Sequence, residues 1–377
     1  MSEFTTFLLK VSGKCNLNCS YCYVFKLADK SWKKQPPFMS TEIWQTSANK
    51  IKDYAINHQL KSIGINLHGG EPLLFGKKNT EDLFNYFESI FRQTGINISF
   101  GLQTNGTLLD QGWIDIFHKY NVGIGISLDG NQVVHDTNRK FHSGEGSYEK
   151  VRRAINLCLS TEKNREVFSG TLSVININSN PLETLHEFLN MGIKNVDFLF
   201  PDSNYSNLPP GKGDFLDTHY GDWLLEMFDE YLNLNNSNIS IRLFDVLMTL
   251  CLGYKHNMDV YGITPIEILV IATNGDLHAL DSLKASVSTY LGANILTNDL
   301  NYSTINENKL GRVQAGGYKS LSEKCKNCDI VNVCGGGYLP HRYSISREFD
   351  NPSIYCVDLY KLIKHINAKL IAMKQYS

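Results

Sequence analysis

No stretch of the 377-residue chain approaches the ~20 consecutive apolar residues needed to span a bilayer as a helix. Nor is there an excess of charge of one sign: 36 basic residues stand against 38 acidic ones, a formal net charge of −2. That balance gives no bulk electrostatic reason to bind nucleic acid or an anionic membrane, so neither is expected as a partner. Met1 to Lys10 lacks the basic-then-apolar pattern of a secretory signal, which makes a cytoplasmic location the expectation. Solenoid-length repeats and low-complexity tracts are absent. An even, dispersed set of cysteines is also missing. The nine present are odd in number and clustered, which favours metal ligation over a disulfide framework. With 42% apolar and 20% charged residues, the chain has the composition of a folded protein long enough for two or three domains.

The first two hundred residues alternate strand and helix signals. Strands are expected at 7–12, 62–67, 98–103, 122–128, 168–175 and 196–200. Helices are expected at 41–59 (capped by Ser40 or Thr41), 80–93 with acidic residues in its first turn, 110–120, 148–160 and 182–191. Several strands read as apolar runs, which suits a parallel sheet covered by helices. Six such βα units fall short of the eight of a closed barrel. Asp202–Gly213 is rich in Ser, Asn, Pro and Gly and reads as a junction. Helical segments follow at 218–234 and 241–254. Strands at 267–271 and 276–283 flank the turn Thr273-Asn274-Gly275. Residues 285–324 look irregular, and 353–374 helical.

Cys15, Cys19 and Cys22 follow the first strand with C-x3-C-x2-C spacing. Three thiolates can hold three corners of a cubane iron–sulfur cluster. No fourth cysteine is nearby, so one iron would stay open for chemistry. A closed zinc site wants four ligands, usually in paired C-x2-C knuckles, and this spacing fits it poorly.

This loop, with Tyr21 before the last cysteine, resembles the radical S-adenosylmethionine (SAM) superfamily. There, SAM chelates the open iron of a [4Fe-4S] cluster, and its reductive cleavage gives a 5′-deoxyadenosyl radical. The resemblance implies a reductant such as flavodoxin or ferredoxin. Further matches occur in the family's order. Gly69, Gly70 and Glu71 look like the methionine-amine site, with Glu71 countering the ammonium. Gln103 and Asn105 end strand three, and Ser127 ends strand four, the edge where parallel α/β sheets bind ligands. By resemblance Ser127 contacts the SAM ribose, Arg139 its carboxylate and Leu199 its adenine, while Tyr21 and Gly70 contribute backbone. The implied fold is a partial (β/α)6 TIM-like barrel over 1–201, a bridging helical segment over 202–265, and a C-terminal SPASM-type iron–sulfur domain over 266–377.

Cys325, Cys328, Cys334 and Cys356 form a second group, C-x2-C-x5-C-x21-C, able to close around zinc or a cubane. Beside the N-terminal triad it resembles the SPASM domain, whose full pattern has seven cysteines for two clusters. Three are lacking here: near Ala279 or Asp281, at Thr297 and at Tyr338. By resemblance those three serve the inner auxiliary cluster, and the four present serve the outer one. One catalytic and one auxiliary [4Fe-4S] cluster are expected. Cys158 and Cys251 read as packing residues.

His135–Arg139 with Gly144–Tyr148 resembles the SPASM peptide maturases. The segments Cys334–Tyr343 and Asn274–Lys284 resemble a narrower branch that builds three-residue cyclophanes in ribosomally synthesised precursor peptides. That resemblance implies hydrogen abstraction at Cβ, addition of the carbon radical to an aromatic ring, and loss of an electron and a proton. Asp281 is the candidate proton acceptor, and a solvated or turn-capping aspartate is the plain alternative. His341 and Arg342 are read as branch-specific structure or substrate contacts. No leader-binding domain is expected ahead of the barrel. The competing readings are thioether or other cross-linking, anaerobic sulfatase maturation that oxidises Cys or Ser to formylglycine, and a non-enzymatic iron–sulfur or zinc regulator or electron carrier.

Overall fold

The computed structural model describes residues 3–256, 258–301, 305 and 307–375. Two compact units divide it. The first takes in Met1–Leu128, His135–Gly170 and Glu267–Arg312; the second takes in Asp129–Val134, Thr171–Ile266 and Val313–Ser377.

In the first unit, β1 (Thr6–Ser12), β2 (Ser62–Gly69), β3 (Asn97–Thr104) and β4 (Val122–Ser127) pair in parallel in chain order. The intervening helices are α1 (Thr41–Asn57), α2 (Lys77–Phe91) and α3 (Gln111–Lys119). Ser40 Oγ caps α1 by accepting from Ile43 N at 3.3 Å, and Asp110 caps α3 through Trp113 N at 3.0 Å. α2 starts at Lys77, three residues before the expected start, so its acidic residues miss the first turn. After β4 come α4 (Gln132–Asn138), α5 (Tyr148–Leu159) and α6 (Glu162–Glu166).

The strands alternate rather than running continuously apolar. Ile63, Ile65 and Leu67 of β2 are buried, as are Phe100 and Leu102 of β3 and Val122, Ile124 and Ile126 of β4. The opposite face carries Asn66, His68, Gly101, Gln103, Gly125 and Ser127, small or polar groups that leave room along the strand ends. β1 contributes Lys10 to the same face, opposite His68.

A strand from far down the chain completes this unit. β8 (Ile268–Ile271) pairs in parallel with β1, setting Phe7 against Leu269. β9 (Asp276–His278) and β10 (Tyr290–Asn294) then add antiparallel. The expected strand 276–283 stops at His278, because Asp281–Ala285 turns into a 3-10 helix that buries Asp281 and Lys284. The stretch expected to be irregular holds β10 and, in Lys309–Ala315, α10.

The chain passes to the second unit within β5 (Phe168–Val174), which pairs in parallel with β6 (Asn195–Leu199). β6 pairs in turn with β7 (Ser240–Ile241). Around them lie α7 (Pro181–Asn190), α8 (His219–Leu234), α9 (Arg242–Cys251), the short α11 (Glu323–Lys326) and α12 (Val331–Cys334), and α13 (Cys356–Gln375). α13 packs on α8 and α9. It is pinned by buried Asp358, which accepts from Gly221 N at 2.9 Å and Lys212 Nζ at 2.8 Å. Among the described residues no helix is long and apolar enough to cross a membrane.

Candidate active site

The loop leaving β1 carries Cys15, Cys19 and Cys22, all residues of intermediate exposure. The segment just before it is stitched to Gly69–Glu71 at the end of β2. Gly70 N donates to Ser12 O at 2.9 Å, and Glu71 N donates to Lys14 O at 2.9 Å. A Cβ on Gly70 would stand 2.4 Å from Lys14 O, a clash that explains why glycine occupies this position. The three-thiol loop and the glycine strip are thus held as one ledge at the C-terminal ends of the strands.

Glu71 is buried, and its carboxylate is already engaged. Oε1 accepts from Leu73 N at 3.0 Å and Thr104 Oγ1 at 2.7 Å, and Oε2 accepts from Asn105 N at 2.8 Å. Burial pushes its pKa up, opposed by those three donors. The side chain fastens the end of β2 to the end of β3. Asn105 in turn donates from Nδ2 to Asn16 Oδ1 at 2.9 Å, tying β3 to the cysteine loop. Gln103 donates to Ser127 Oγ at 2.9 Å, across strands whose contact there is opened by Gly125. Arg139, just past α4 and buried, donates from Nη1 to Tyr21 Oη at 2.8 Å. Tyr21 thus meets Arg139 through its ring hydroxyl. Leu199 is half-buried as the last residue of β6 in the second unit.

Asp281 is neither solvated nor a turn cap. Its Oδ2 accepts from Lys10 Nζ at 2.6 Å and Tyr23 Oη at 3.0 Å, and its Oδ1 accepts from Lys284 Nζ at 2.7 Å. His68 Nδ1 lies 3.7 Å from Oδ2. Burial alone would raise the carboxyl pKa. The two ammonium groups overcome that and hold it well below the usual carboxylate range. Burial lowers Lys10 to about 8, with Lys284 adding to the effect and Asp281 opposing it. Burial and the same cations lower His68 to about 4, so its ring is neutral at pH 7. Lys10, Lys284, His68 and Tyr23 are site residues that sequence reasoning passes over. One signal existed: a lysine inside the apolar run Phe7-Leu8-Leu9-Lys10-Val11.

Burial pushes the Cys15 thiol up to about 12 and raises Cys22 as well. A cationic metal centre is what would reverse that preference, and three close thiols in one loop are the donor set for it.

The second cysteine group is assembled within the second unit. Cys325 on α11, Cys328, Cys334 ending α12 and Cys356 opening α13 line one cavity of about 270 Å³ with Ile330, Val331 and Val357. Gly335, Gly336 and Gly337 follow Cys334 with φ of 60°, 79° and 72°. A Cβ at Gly335 would lie 1.7 Å from Gly262 O, so the loop can pass only as glycine. Four thiols lining one cavity are the donor set for zinc or for a cubane cluster. His341 and Arg342 are both buried, which does not suit substrate contact; His341 packs its ring against Phe200, Tyr338 and Tyr355. Cys158 is fully buried in α5.

Residues 9–189 match the Radical SAM superfamily. A serine-type anaerobic sulfatase-maturating enzyme of Bacteroides thetaiotaomicron is 27% identical, covering 97% of this chain and 90% of that protein. A cysteine-type anaerobic sulfatase-maturating enzyme of Clostridium novyi is 25% identical over 100% of both. Among solved structures, a histidine-tagged anSMEcpe with bound AdoMet superimposes with a TM-score of 0.81 at 25% identity, covering 97% of this chain and 98% of that one.

Proposed function

We propose, for a chain whose residues 9–189 match the Radical SAM superfamily, an enzyme that oxidises a side chain at Cβ within a peptide or protein substrate. The observation that carries this reading is the buried Asp281 carboxylate, kept ionised by Lys284 and by Lys10, which lies on the same strand face as Gln103 and Ser127. Cys15, Cys19 and Cys22 would hold the [4Fe-4S] cluster, and Gly69, Gly70, Ser127 and Arg139 would line the SAM position. Bound there, the cluster and SAM would supply a 5′-deoxyadenosyl radical for hydrogen abstraction. Both candidate outcomes then need the same two services, an acceptor for one electron and a base for one proton. Cys325, Cys328, Cys334 and Cys356 would hold the electron acceptor as a second cluster. Asp281 would take the proton. Its depressed pKa makes it a weak base, but a radical losing an electron is a strongly acidic donor, and a weak base held ionised suffices.

The relatives favour formylglycine formation from Ser or Cys. The second reading, cross-linking of an aromatic ring to Cβ as a cyclophane, is favoured by one specific feature. By the resemblance to the SPASM pattern, Ala279 or Asp281, Thr297 and Tyr338 stand where an inner auxiliary cluster would need thiols. Reconstituted enzyme, reductant and SAM should be offered a sulfatase-type peptide and a peptide with spaced aromatics. A product two hydrogens lighter that reacts with a hydrazide is the aldehyde from serine. A two-hydrogen loss that is hydrazide-inert, with a substituted ring carbon by NMR, is the cyclophane. Failure to form 5′-deoxyadenosine with any peptide or protein would overturn the enzyme reading.

A further inference from the structure

The second unit contains a buried cation without a carboxylate partner. Arg342 ends a 3-10 helix, Leu339–Arg342, and is 5% exposed. Its Nη2 donates to the carbonyls of Ser320 and Phe349, while Nε has no hydrogen-bond partner. Among the described residues no carboxylate reaches ion-pair distance of its guanidinium. Asp350, the acidic side chain that acts on it, is committed on the surface to Arg347 at 3.2 Å. Two carbonyl dipoles do not balance a desolvated guanidinium, whose burial is costly unless it is paired.

What faces it is the tail cysteine group. A Cβ on Gly336 would lie 3.7 Å from Cys325 Sγ and 3.9 Å from Arg342 Cδ, so one glycine separates the thiol from the arginine stem. Burial works against the charge of Arg342; Cys325 and Cys334 work for it, ahead of Asp350. Lys324 also lines the cavity, but it is exposed and screened by water.

We propose that Arg342 is the built-in counter-charge of the four-thiolate tail site and raises its reduction potential. The inference rests on reading that site as an iron–sulfur cluster. A cubane on four thiolates is a net anion, and adding an electron makes it more so. A fixed positive charge within the same low-dielectric pocket stabilises the reduced form over the oxidised one. Arg342 thus makes the tail site a readier electron acceptor. It is a positioning charge rather than a catalytic residue. Arginine suits the role because it stays protonated when buried, which a lysine would do less reliably.

The test uses the full-length protein with Cys15, Cys19 and Cys22 replaced by Ala, so that only the tail site can hold iron. Three forms are compared, with Arg342 intact, Arg342→Lys and Arg342→Gln, by metal analysis and EPR-monitored potentiometry. The expected result is a midpoint shifted to more negative potential in Arg342→Gln and shifted by less in Arg342→Lys. Iron retained by the Lys form but lost from the Gln form also supports the charge role. Equal midpoints in all three would reduce Arg342 to a brace between two carbonyls and overturn the proposal. Iron lost from both variants would do the same, showing that shape rather than charge matters. Zinc, or no metal, in the parent form would instead overturn the cluster reading itself, and the proposal with it.

Discussion

Lys10 Nζ and Asp281 Oδ2 lie 2.6 Å apart, both buried, although 271 residues separate them in the chain. This contact joins the first strand of the barrel to a turn that resemblance alone marks as chemical. It also makes the aspartate part of a charge set, two ammonium groups on one carboxylate, rather than a lone base.

The first expectation follows from that set. Asp281→Asn should retain cluster iron and SAM cleavage but slow product formation by about 10²–10⁴-fold, the usual contribution of a general base. 5′-Deoxyadenosine should then form uncoupled from product. Near-normal coupling in this variant would make Asp281 a structural anion only.

Lys10→Met separates holding from proton transfer. Removing one partner of a buried ion pair costs about 3–5 kcal/mol, and here the cost should fall toward the low end because Lys284 still contacts Asp281. The double variant Lys10→Met/Asp281→Asn should be less destabilised than the two single losses summed. Additive losses in urea titrations would show that the two residues do not act as a pair.

Iron content tests the two-cluster reading. Anaerobic reconstitution should give about eight irons per chain, and replacing Cys15, Cys19 and Cys22 by Ala should leave about half. A triple variant without iron would remove the second cluster from the scheme.

Gly70→Ala tests the ledge between cysteine loop and glycine strip. The new Cβ would press on Lys14 O from 2.4 Å, and the loop must move to relieve it. SAM affinity should weaken at least about tenfold, ~1.4 kcal/mol, with circular dichroism unchanged. Unaltered affinity would show that the ledge tolerates movement.

Acid should destabilise the fold through its buried histidines. Burial lowers His135 and His341 to about 3 and His278 to about 4. As pH falls through the ordinary histidine value near 6.5, the unfolded chain binds protons that the folded chain refuses, so stability drops by up to about 1.4 kcal/mol per pH unit for each histidine. The loss runs from about pH 6.5 down to the folded values. Urea midpoints at pH 7, 6 and 5 should decline, less steeply in a His135→Gln/His341→Gln form. Midpoints that hold constant over this range would contradict the burial argument.

Local signals carried much of this architecture. Ser40 and Asp110 cap the helices where side-chain chemistry places them, and the six strands before Pro201 fall within two residues of their expected limits. Both cysteine groups were legible because spacing alone marks them. Long-range electrostatics were not. Nothing within a short window says that Lys10 will find Asp281, or that Glu71 will spend its oxygens on Leu73, Thr104 and Asn105. β10 escaped notice because its five residues pair irregularly, with a register shift between Tyr290 and Asn294.

The parallel pairing of β1 with β8 bears on how the protein is made. A ribosome releases Thr6–Ser12 long before Ile268–Ile271 exists, and at about 5–20 residues per second the interval is roughly 13–50 s. Once Ser62–Gly69 is made, β1 has β2 on one side and an unpaired backbone edge on the other, and Lys10 waits without Asp281. A free strand edge of that kind invites pairing with another chain. The edge of β1 is closed only when this last parallel strand arrives, and chains interrupted before residue 268 should aggregate.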